Sequence, residues 1–576
     1  MRAKNLFVIT GVGFLSIAGV TACGREDKSD KYEDGKLKIS LQNLYFKGYA
    51  GGDTYLKKLQ NDFEVKLSFR SYSWDDWDTQ VNGQVNGGSL PDVFHANIDS
   101  YNYMSYYKFW AEEHITKPLP VDLSPWPNVK SLIDHTSNIE ALKIDGLLYG
   151  IPVAEETTHY DRNFSPFTYM YRRDWAKQID RKHTTNLVAV EEDGVDPIYE
   201  AGYTPIYKEG DVYTWAEFEH LLDVFAKELR SQNKYALGDV EWGFPSITNF
   251  YKQVPHCFAF DKTEGDHGKY VNNYLTDDYI DGLNKSKEYM TDAEKLWYFA
   301  GQSDAAEGDV RKQYYGNKIA VFYENLSYTN FMNIREELLK SNTSTENFNV
   351  DDATAIMRIK SPNGQYCLEG TDNWFSMTFF DRRISDNKMN KMLDIYDYLL
   401  SKKGTYDAIY GKEGYDYDYD PVTEEGHMIE ENWEMNSDGT YKVKENGLKY
   451  LRQMVSLGYD TYEFDPVTNK TVVNYLNDWE NEMKAVYVPD DPTTPDVNEN
   501  ETLSGLRVLK ENEEVRWLTT YLKATFCGGM RDDALLCVMQ YVYGNITLND
   551  YKNSFAASGY DWPGVLNEIN EALGYN

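Results

Sequence analysis

The chain predicts an α/β fold, and three observations predict it. An alternating apolar run at Leu37, Ile39 and Leu41 leads through a turn containing Gly48, Gly51 and Gly52 to a helical pattern at Leu56, Leu59 and Phe63, with Asp53 placed as N-cap. Val65, Leu67 and Phe69 then alternate again. Strand, loop, helix and strand in that order form the unit whose crossover makes a parallel sheet. The length of 576 residues exceeds what one hydrophobic core organises, so two or more lobes are expected.

The N-terminus reads as a bacterial lipoprotein signal. Arg2 and Lys4 precede an uncharged apolar run from Leu6 to Val20, and Val20-Thr21-Ala22-Cys23 follows at once. Charge, apolar stretch and small residues are the features a signal peptidase reads, and the Cys23 thiol is expected to take the lipid. The run is shorter than the roughly 20 residues of a spanning helix. Residues 1–22 are thus expected to be removed, and residues 23–36, charged and poor in apolar side chains, to serve as a flexible tether. The rest is expected outside the cytoplasm, on the outer face of the bacterial cell membrane.

Composition narrows the partners. The 93 acidic against 58 basic residues give a net charge of −35, which disfavours nucleic acid and anionic lipid surfaces. Besides Cys23, the cysteines at 257, 367, 527 and 537 show no C-x-x-C spacing, so no zinc site is indicated. The 48 tyrosines and 13 tryptophans supply flat surfaces that bury area and still offer a hydrogen bond, as sugars require. A large aromatic core accounts for that number equally well, so only aromatics lining a cleft discriminate.

Further along, Leu90-Pro91-Asp92-Val93-Phe94 reads as a short buried strand with His95, Ala96 and Asn97 at its carboxyl edge, where ligands bind in open α/β sheets. Thr214-Trp215-Ala216-Glu217 is a capping box ahead of a helix patterned on Phe218, Leu221, Leu222, Phe225 and Leu229. Met389, Met392, Leu393, Tyr396, Leu399 and Leu400 predict another helix, closing at Gly404. Two polar stretches, about 181–212 and 489–504, read as surface insertions.

These pieces carry a resemblance. Gly88-Ser89-Leu90-Pro91-Asp92-Val93, Asp145-Gly146-Leu147-Leu148-Tyr149-Gly150-Ile151-Pro152, Tyr171-Arg172-Arg173-Asp174-Trp175, Thr214-Trp215-Ala216-Glu217-Phe218, Gly316-Asn317-Lys318-Ile319-Ala320-Val321 and Tyr410-Gly411-Lys412-Glu413-Gly414 stand in an order that resembles the extracellular solute-binding proteins of family 1. The branch resembled is that of the long sugar-binding lipoproteins of ABC importers. The long insertion between Trp175 and Thr214 and the excess of Tyr and acid depart from that pattern and leave the ligand open. The resemblance implies a two-lobed, periplasmic-binding-protein-like α/β fold with a hinge and an interlobe ligand cleft. Lobe I is expected at 37–152 and about 360–405, and lobe II at 153–359 and about 406–576. It further implies a monomer that binds a small solute, foremost a mono- or oligosaccharide, delivers it to a membrane permease, and needs no cofactor.

Candidate ligand contacts follow from strand ends and aromatics. Trp74 and Trp77 sit at helical spacing after the second strand; Asp92, His95 and Asn97 stand at a strand end; Glu155 and Glu156 follow the segment flanked by Gly146 and Gly150. Tyr323, Glu324 and Asn325 end the strand begun at Ile319, Asn373 and Trp374 end a loop, and Tyr171 is a reserve with Arg173. Carboxylates and amides accept and donate to sugar hydroxyls, and a tryptophan can stack on the ring. Each also has a structural reading: capped helix, core tryptophan, backbone pin or surface ion pair.

The alternatives are a surface glycoside hydrolase using paired carboxylates and a glycan-binding adhesin without a permease. No local signature selects a catalytic pair. H-E-x-x-H, a P-loop and G-x-S-x-G are absent from the sequence, and Ser231 with Lys234 matches S-x-x-K only in isolation. Asp416, Asp418 and Asp420 alternate like the start of a calcium loop, but Pro421 stands where that loop needs glycine. No metal ligand and no catalytic residue is therefore assigned.

Overall fold

The computed structural model of the chain describes residues 28–573, apart from 47, 50, 74–75, 99–103, 137–138, 155–166, 186–196, 241–244, 253–257, 262–268, 301–303, 326–327, 343–347, 363–365, 370–373, 435–443, 458–463, 466–469, 472–505, 510–524 and 558–560. The strands that build the two principal sheets are β1 (Tyr32–Glu33), β2 (Lys36–Asn43), β3 (Val65–Ser71), β4 (Val93–Ala96), β5 (Gly150–Ala154), β6 (Phe167–Arg172), β7 (Tyr235–Val240), β8 (Trp297–Ala300), β9 (Ile319–Asn325), β10 (Thr354–Ile356) and β11 (Trp374–Phe380).

The first sheet has the order β1-β2-β4-β11-β5, with β3 also on β2. Its opening unit is the one expected: β2 and β3 pair in parallel from Leu37–Val65 to Asn43–Ser71, joined through helix α1 (Thr54–Asp62). The Asp53 side chain accepts from Leu56 N at 2.8 Å, satisfying one of the free amides at the helix start. Strand β4 is parallel to β2, whereas β11 runs antiparallel between β4 and β5. The second sheet has the order β8-β7-β9-β6-β10, with β7, β8 and β9 mutually parallel and β6 antiparallel to β9. Helix α2 (Trp77–Gly87) packs on the first sheet and α3 (Trp215–Leu229) on the second. The capping box of α3 is formed on both sides, Thr214 and Glu217 exchanging bonds as the sequence predicts. A third apolar cluster joins α4 (Asp277–Thr291), through Tyr279 and Leu283, to the C-terminal helices Thr525–Val542, Leu548–Ala557 and Trp562–Leu573.

The chain passes between the two sheets at one corner. It leaves the first sheet at Ala154, enters the second at Phe167, and returns to the first at Trp374. Trp374 is the register partner of Ala154, and Ala154 also exchanges backbone bonds with Val455 and Leu457, at 3.1 and 2.8 Å. Three chain segments, at Ala154, Trp374 and Ser456, thus lie side by side at the carboxyl edge of the first sheet.

Several expectations are corrected by packing. The expected tether is folded from residue 28: Lys28 bridges Ile384, and β1 pairs with β2. Helix α5 (Asp386–Leu400) ends before Gly404, because Ser401 caps a new helix, α6 (Lys402–Ile409). Gly404 is required inside that first turn, where a Cβ would stand 1.8 Å from the Tyr398 carbonyl oxygen. Beyond residue 406, where the second lobe was expected, side chains join the first core: Ala408 and, from α7 (Gly447–Arg452) and the turn after it, Leu448, Leu451, Met454 and Val455. Residues 366–369 pair instead with 506–509. Of the two polar stretches, 489–504 and the segment 186–196 of the first lie outside the described residues, as do the signal and Cys23.

Candidate functional site

At the carboxyl edge of the first sheet, the strand ends carry polar side chains whose hydrogen-bonding groups are buried and unused. The Asn43 Nδ2, the Tyr72 hydroxyl and the His95 Nδ1 have no hydrogen-bond partner among the described residues. Asn43 ends β2, Tyr72 follows β3, and His95 is the third residue of β4. Each is held from behind. The Asn43 Oδ1 accepts from Tyr45 N at 3.2 Å, and the His95 Nε2 lies 2.8 Å from Ser376 Oγ on β11. The Tyr45 ring stands 5.6 Å from that of His95. Burial lowers the His95 pKa to about 3, so the ring is neutral at physiological pH, with one nitrogen a donor and the other an acceptor. Unpaired buried polar atoms cost roughly 1–3 kcal/mol each, so a group of them at one sheet edge is what a site filled by hydroxyls requires.

The second sheet presents a smaller counterpart. The Thr168 hydroxyl on β6 is buried without a partner among the described residues. Beside it the Tyr169 hydroxyl donates to Ser246 Oγ at 2.6 Å, and Ser246 in turn donates to the fully buried Asp239 at the end of β7, at 2.7 Å. Tyr323 packs its ring 5.4 Å from Tyr169. Glu324 is buried and accepts from Arg311 Nε at 2.8 Å and Nη2 at 3.0 Å, a two-point ion pair that fixes the carboxylate.

The residues expected from sequence therefore fall into three groups. His95 and Asn97, together with Trp374, stand at the carboxyl edge of the first sheet, and Tyr323 and Glu324 at that of the second. Trp77, Asp92 and Tyr171 do structural work. Trp77 is buried in the first core, edge-on to Tyr106. Asp92 lies at the opposite, amino edge of the sheet, accepting from Ser40 N and Oγ at 2.8 Å and pairing with Lys388 at 3.1 Å. Tyr171 is buried in the second core, where its hydroxyl donates to Asp211 and accepts from Tyr213; burial pushes its pKa well above the usual phenol range. The reserve Arg173 pairs with Asp211 at 2.8 Å. Trp74, Glu155, Glu156 and Asn373 lie outside the described residues, as does the side chain of Asn325.

Asn43, Tyr72, Thr168 and Asp239 were missed by sequence reasoning. The signal was present for Asn43, a polar residue closing the alternating run from Leu37, but Tyr72 was masked by the abundance of tyrosine. A cavity of about 510 Å³ lies away from this edge, lined by Arg172, Asp174, Trp175, Lys234 and Asn317 among others. The Trp175 ring there carries the Arg172 and Lys234 cations, 4.5 and 4.1 Å from its centroid. The Asp416 carboxylate is taken by Lys444 and by the Tyr55 hydroxyl at 2.9 Å. Among the described residues no group of three or more His, Cys, Asp or Glu is gathered to hold a metal, and no helix is long and apolar enough to cross a membrane.

Two α/β lobes meeting at a triple crossing, with polar strand ends turned to the same corner, are the architecture of two-lobed solute-binding proteins. Solved structures share it along the chain. The alginate-binding protein AlgQ2, in its form without calcium, is 15% identical, with a TM-score of 0.52 over 94% of this chain and 99% of that one. The ABC-transporter substrate-binding protein FusA of S. pneumoniae, in complex with kestose, is 13% identical, with a TM-score of 0.53 over 94% and 100%. An HMO-binding, ABC-transporter-associated solute-binding protein from Bifidobacterium longum infantis is 13% identical, with a TM-score of 0.50 over 94% and 97%. At such identities the likeness establishes the fold. No protein-family model and no curated protein sequence matches the chain.

Proposed function

We infer that this chain is an extracytoplasmic receptor that binds a mono- or oligosaccharide between its lobes and presents it to an ABC-importer permease by hinge closure. The observation that carries the reading is the set of buried, unpartnered polar atoms, on Asn43, Tyr72, His95 and Thr168, at the carboxyl edges of both sheets beside the triple crossing. Neutral amide, phenol, imidazole and hydroxyl groups match the alternating donors and acceptors of a sugar. The ligands named for the solved structures of the same fold are carbohydrates: alginate, kestose and HMO. The lobes of this reading are 37–154 with about 374–457, and 167–369 with the C-terminal helices. The mature chain starts at a lipid-bearing Cys23, acts as a monomer and carries out no catalysis. Its ligand contacts are His95, Asn97, Tyr323, Glu324 and Trp374 with Asn43 and Tyr72, joined by Trp74, Glu155, Glu156, Asn325 and Asn373.

The test is thermal unfolding of the ectodomain begun at Lys28 against a panel of neutral and acidic oligosaccharides, with chromatography of each sugar afterwards. A ligand at about 100 times its dissociation constant adds about 2.7 kcal/mol of stability. A shift with one sugar recovered intact supports the reading. Cleavage of the sugar would move the hydrolase to first place, and no shift with any sugar would remove the carbohydrate.

A further inference from the structure

The second sheet has a charged amino edge opposite its polar carboxyl edge. Strands β7 and β9 start there, at Tyr235 and Ile319, and the antiparallel β6 ends there, at Arg172. Lys234 and Lys318 are the residues just before the two strand starts. From Lys234 to the end of β7 at Val240, the rise along the strand sets this edge roughly 20 Å from the carboxyl edge.

The cavity of about 510 Å³ lies at this amino edge, with Arg172, Asp174, Trp175, Lys234, Phe348 and Asp352 in its wall. The charges in that wall are not evenly matched. Arg172 is buried and spent: Nε and Nη2 donate to the two oxygens of Asp174, at 2.8 and 2.5 Å, and Nη1 donates to Asn317 Oδ1. Asp352 lies 3.9 Å from the Lys177 ammonium. Lys234 is different. Among the described residues no carboxylate stands within ion-pair distance of its ammonium and no oxygen accepts from it; its contact is the Trp175 ring, 4.1 Å away at the centroid. A ring face returns only part of what a half-buried ammonium loses on leaving water. Burial, and after it the Arg172 and Lys318 cations, lower the Lys234 pKa, with Asp174 opposing them more weakly. The field here is therefore positive, on a chain whose net charge is −35.

We propose that this cavity is a second ligand site, for a small organic oxyanion whose carboxylate or phosphate is received by the Lys234 ammonium while its body packs against Trp175 and Phe348. An ammonium is a point charge with three donors and does not clamp a bare ion as a guanidinium fork does. The volume, within the usual range of small-molecule sites, leaves room for a body attached to the charge. The site stands at the opposite edge from the strand ends assigned to sugar and does not depend on that assignment.

Thermal unfolding of the purified protein tests it with benzoate and phenyl phosphate, probes that are not sugars, and with benzyl alcohol as the uncharged match. At millimolar concentration one or both oxyanions are expected to raise the unfolding temperature where benzyl alcohol does not, and the rise should shrink as sodium chloride increases. A response to phenyl phosphate alone assigns a phosphate to the ligand, and a response to benzoate alone a carboxylate. Lys234→Met keeps the stem against Trp175 and removes the charge. It is expected to abolish the response and to leave the unliganded protein as stable as before or more so, because the ammonium has no acceptor in the protein to lose. Any sugar-induced shift should be the same in both proteins. No response of the native protein to either oxyanion, an equal response to benzyl alcohol, or an unchanged response in Lys234→Met would overturn the proposal. A marked loss of stability in Lys234→Met would overturn it too, by making the lysine a structural residue.

Discussion

The two ends of the first sheet treat buried polar groups in opposite ways. At the amino edge Asp92, Asp381, Lys388 and Arg383 are buried or nearly so, and every charge faces an opposite one within 3.1 Å. Burial opposes the Asp381 charge, yet bonds from Arg383 and Lys28 hold its carboxyl below its ordinary value. At the carboxyl edge Asn43, Tyr72 and His95 each bury an atom that nothing in the described chain satisfies. Among the described residues, the Thr116 hydroxyl is such an atom near the amino edge. On the proposed reading the difference separates stability from binding within one sheet: polar groups that hold the fold are saturated by the protein, and those at the carboxyl edge are expected to be saturated only by a ligand.

The comparison breaks if the amino-edge charges prove dispensable. Asp92→Ala leaves Lys388 buried without its carboxylate and frees the Ser40 amide, so a loss of about 3–5 kcal/mol is expected in urea unfolding. A loss below about 1 kcal/mol would mean that water reaches the cluster.

A pH series sharpens the carboxyl edge. The His95 pKa is lowered to about 3 by burial, whereas an unfolded histidine titrates near 6.5. The unfolded state therefore binds more protons between these values, and stability is lost as pH falls from about 6.5 toward 3, at up to about 1.4 kcal/mol per pH unit. His95→Asn should flatten this slope over pH 6.5 to 5, where most carboxylates remain ionised. Sugar affinity in the native chain is expected to stay level from pH 8 to 6, because the ring is neutral throughout.

A smaller effect of opposite sign is expected for Tyr72→Phe. Removing a buried hydroxyl that has no protein partner should leave stability unchanged or raise it by about 1 kcal/mol, while sugar affinity falls by roughly tenfold, about 1.4 kcal/mol. A destabilised variant with unchanged affinity, read by calorimetry and unfolding together, would place Tyr72 among the structural residues. Smallest of all, Glu33→Gln removes an exposed partner of Lys38, 2.7 Å away, and should change stability by less than about 0.5 kcal/mol. It separates the effect of burial from that of charge at the same edge.

Local patterns were legible where a single element decides them. The β2-α1-β3 unit, the Asp53 cap and the Thr214 capping box all stand where the sequence placed them, because periodicity and capping are set within about four residues. The rule that strand ends carry ligands singled out His95 and Asn97, which stand at the carboxyl edge, and also Asp92, which precedes its strand and stands at the amino edge. Tyr171 and Trp77 are buried in the cores, which the sequence did not show, because an aromatic's use depends on which face of its element is covered. Gly404 was read as a stop, but the chain turns there into a second helix, a choice made by the Ser401 cap and by the close approach of the Tyr398 carbonyl.

By itself, then, the sequence determined the α/β class, the first crossover unit, the helix starts and several of the strand ends, all of them consequences of short-range sterics and hydrophobic spacing. Only the tertiary structure decided that Ala408, Leu448, Leu451, Met454 and Val455 join the first core, that Lys28 closes an ion cluster with Asp92 and Asp381, and that Trp374 and Ser456 meet Ala154 at one corner. The physical reason is distance along the chain. Lys28 and Asp381 stand more than 350 positions apart, and no local propensity specifies which distant carboxylate a buried ammonium will meet.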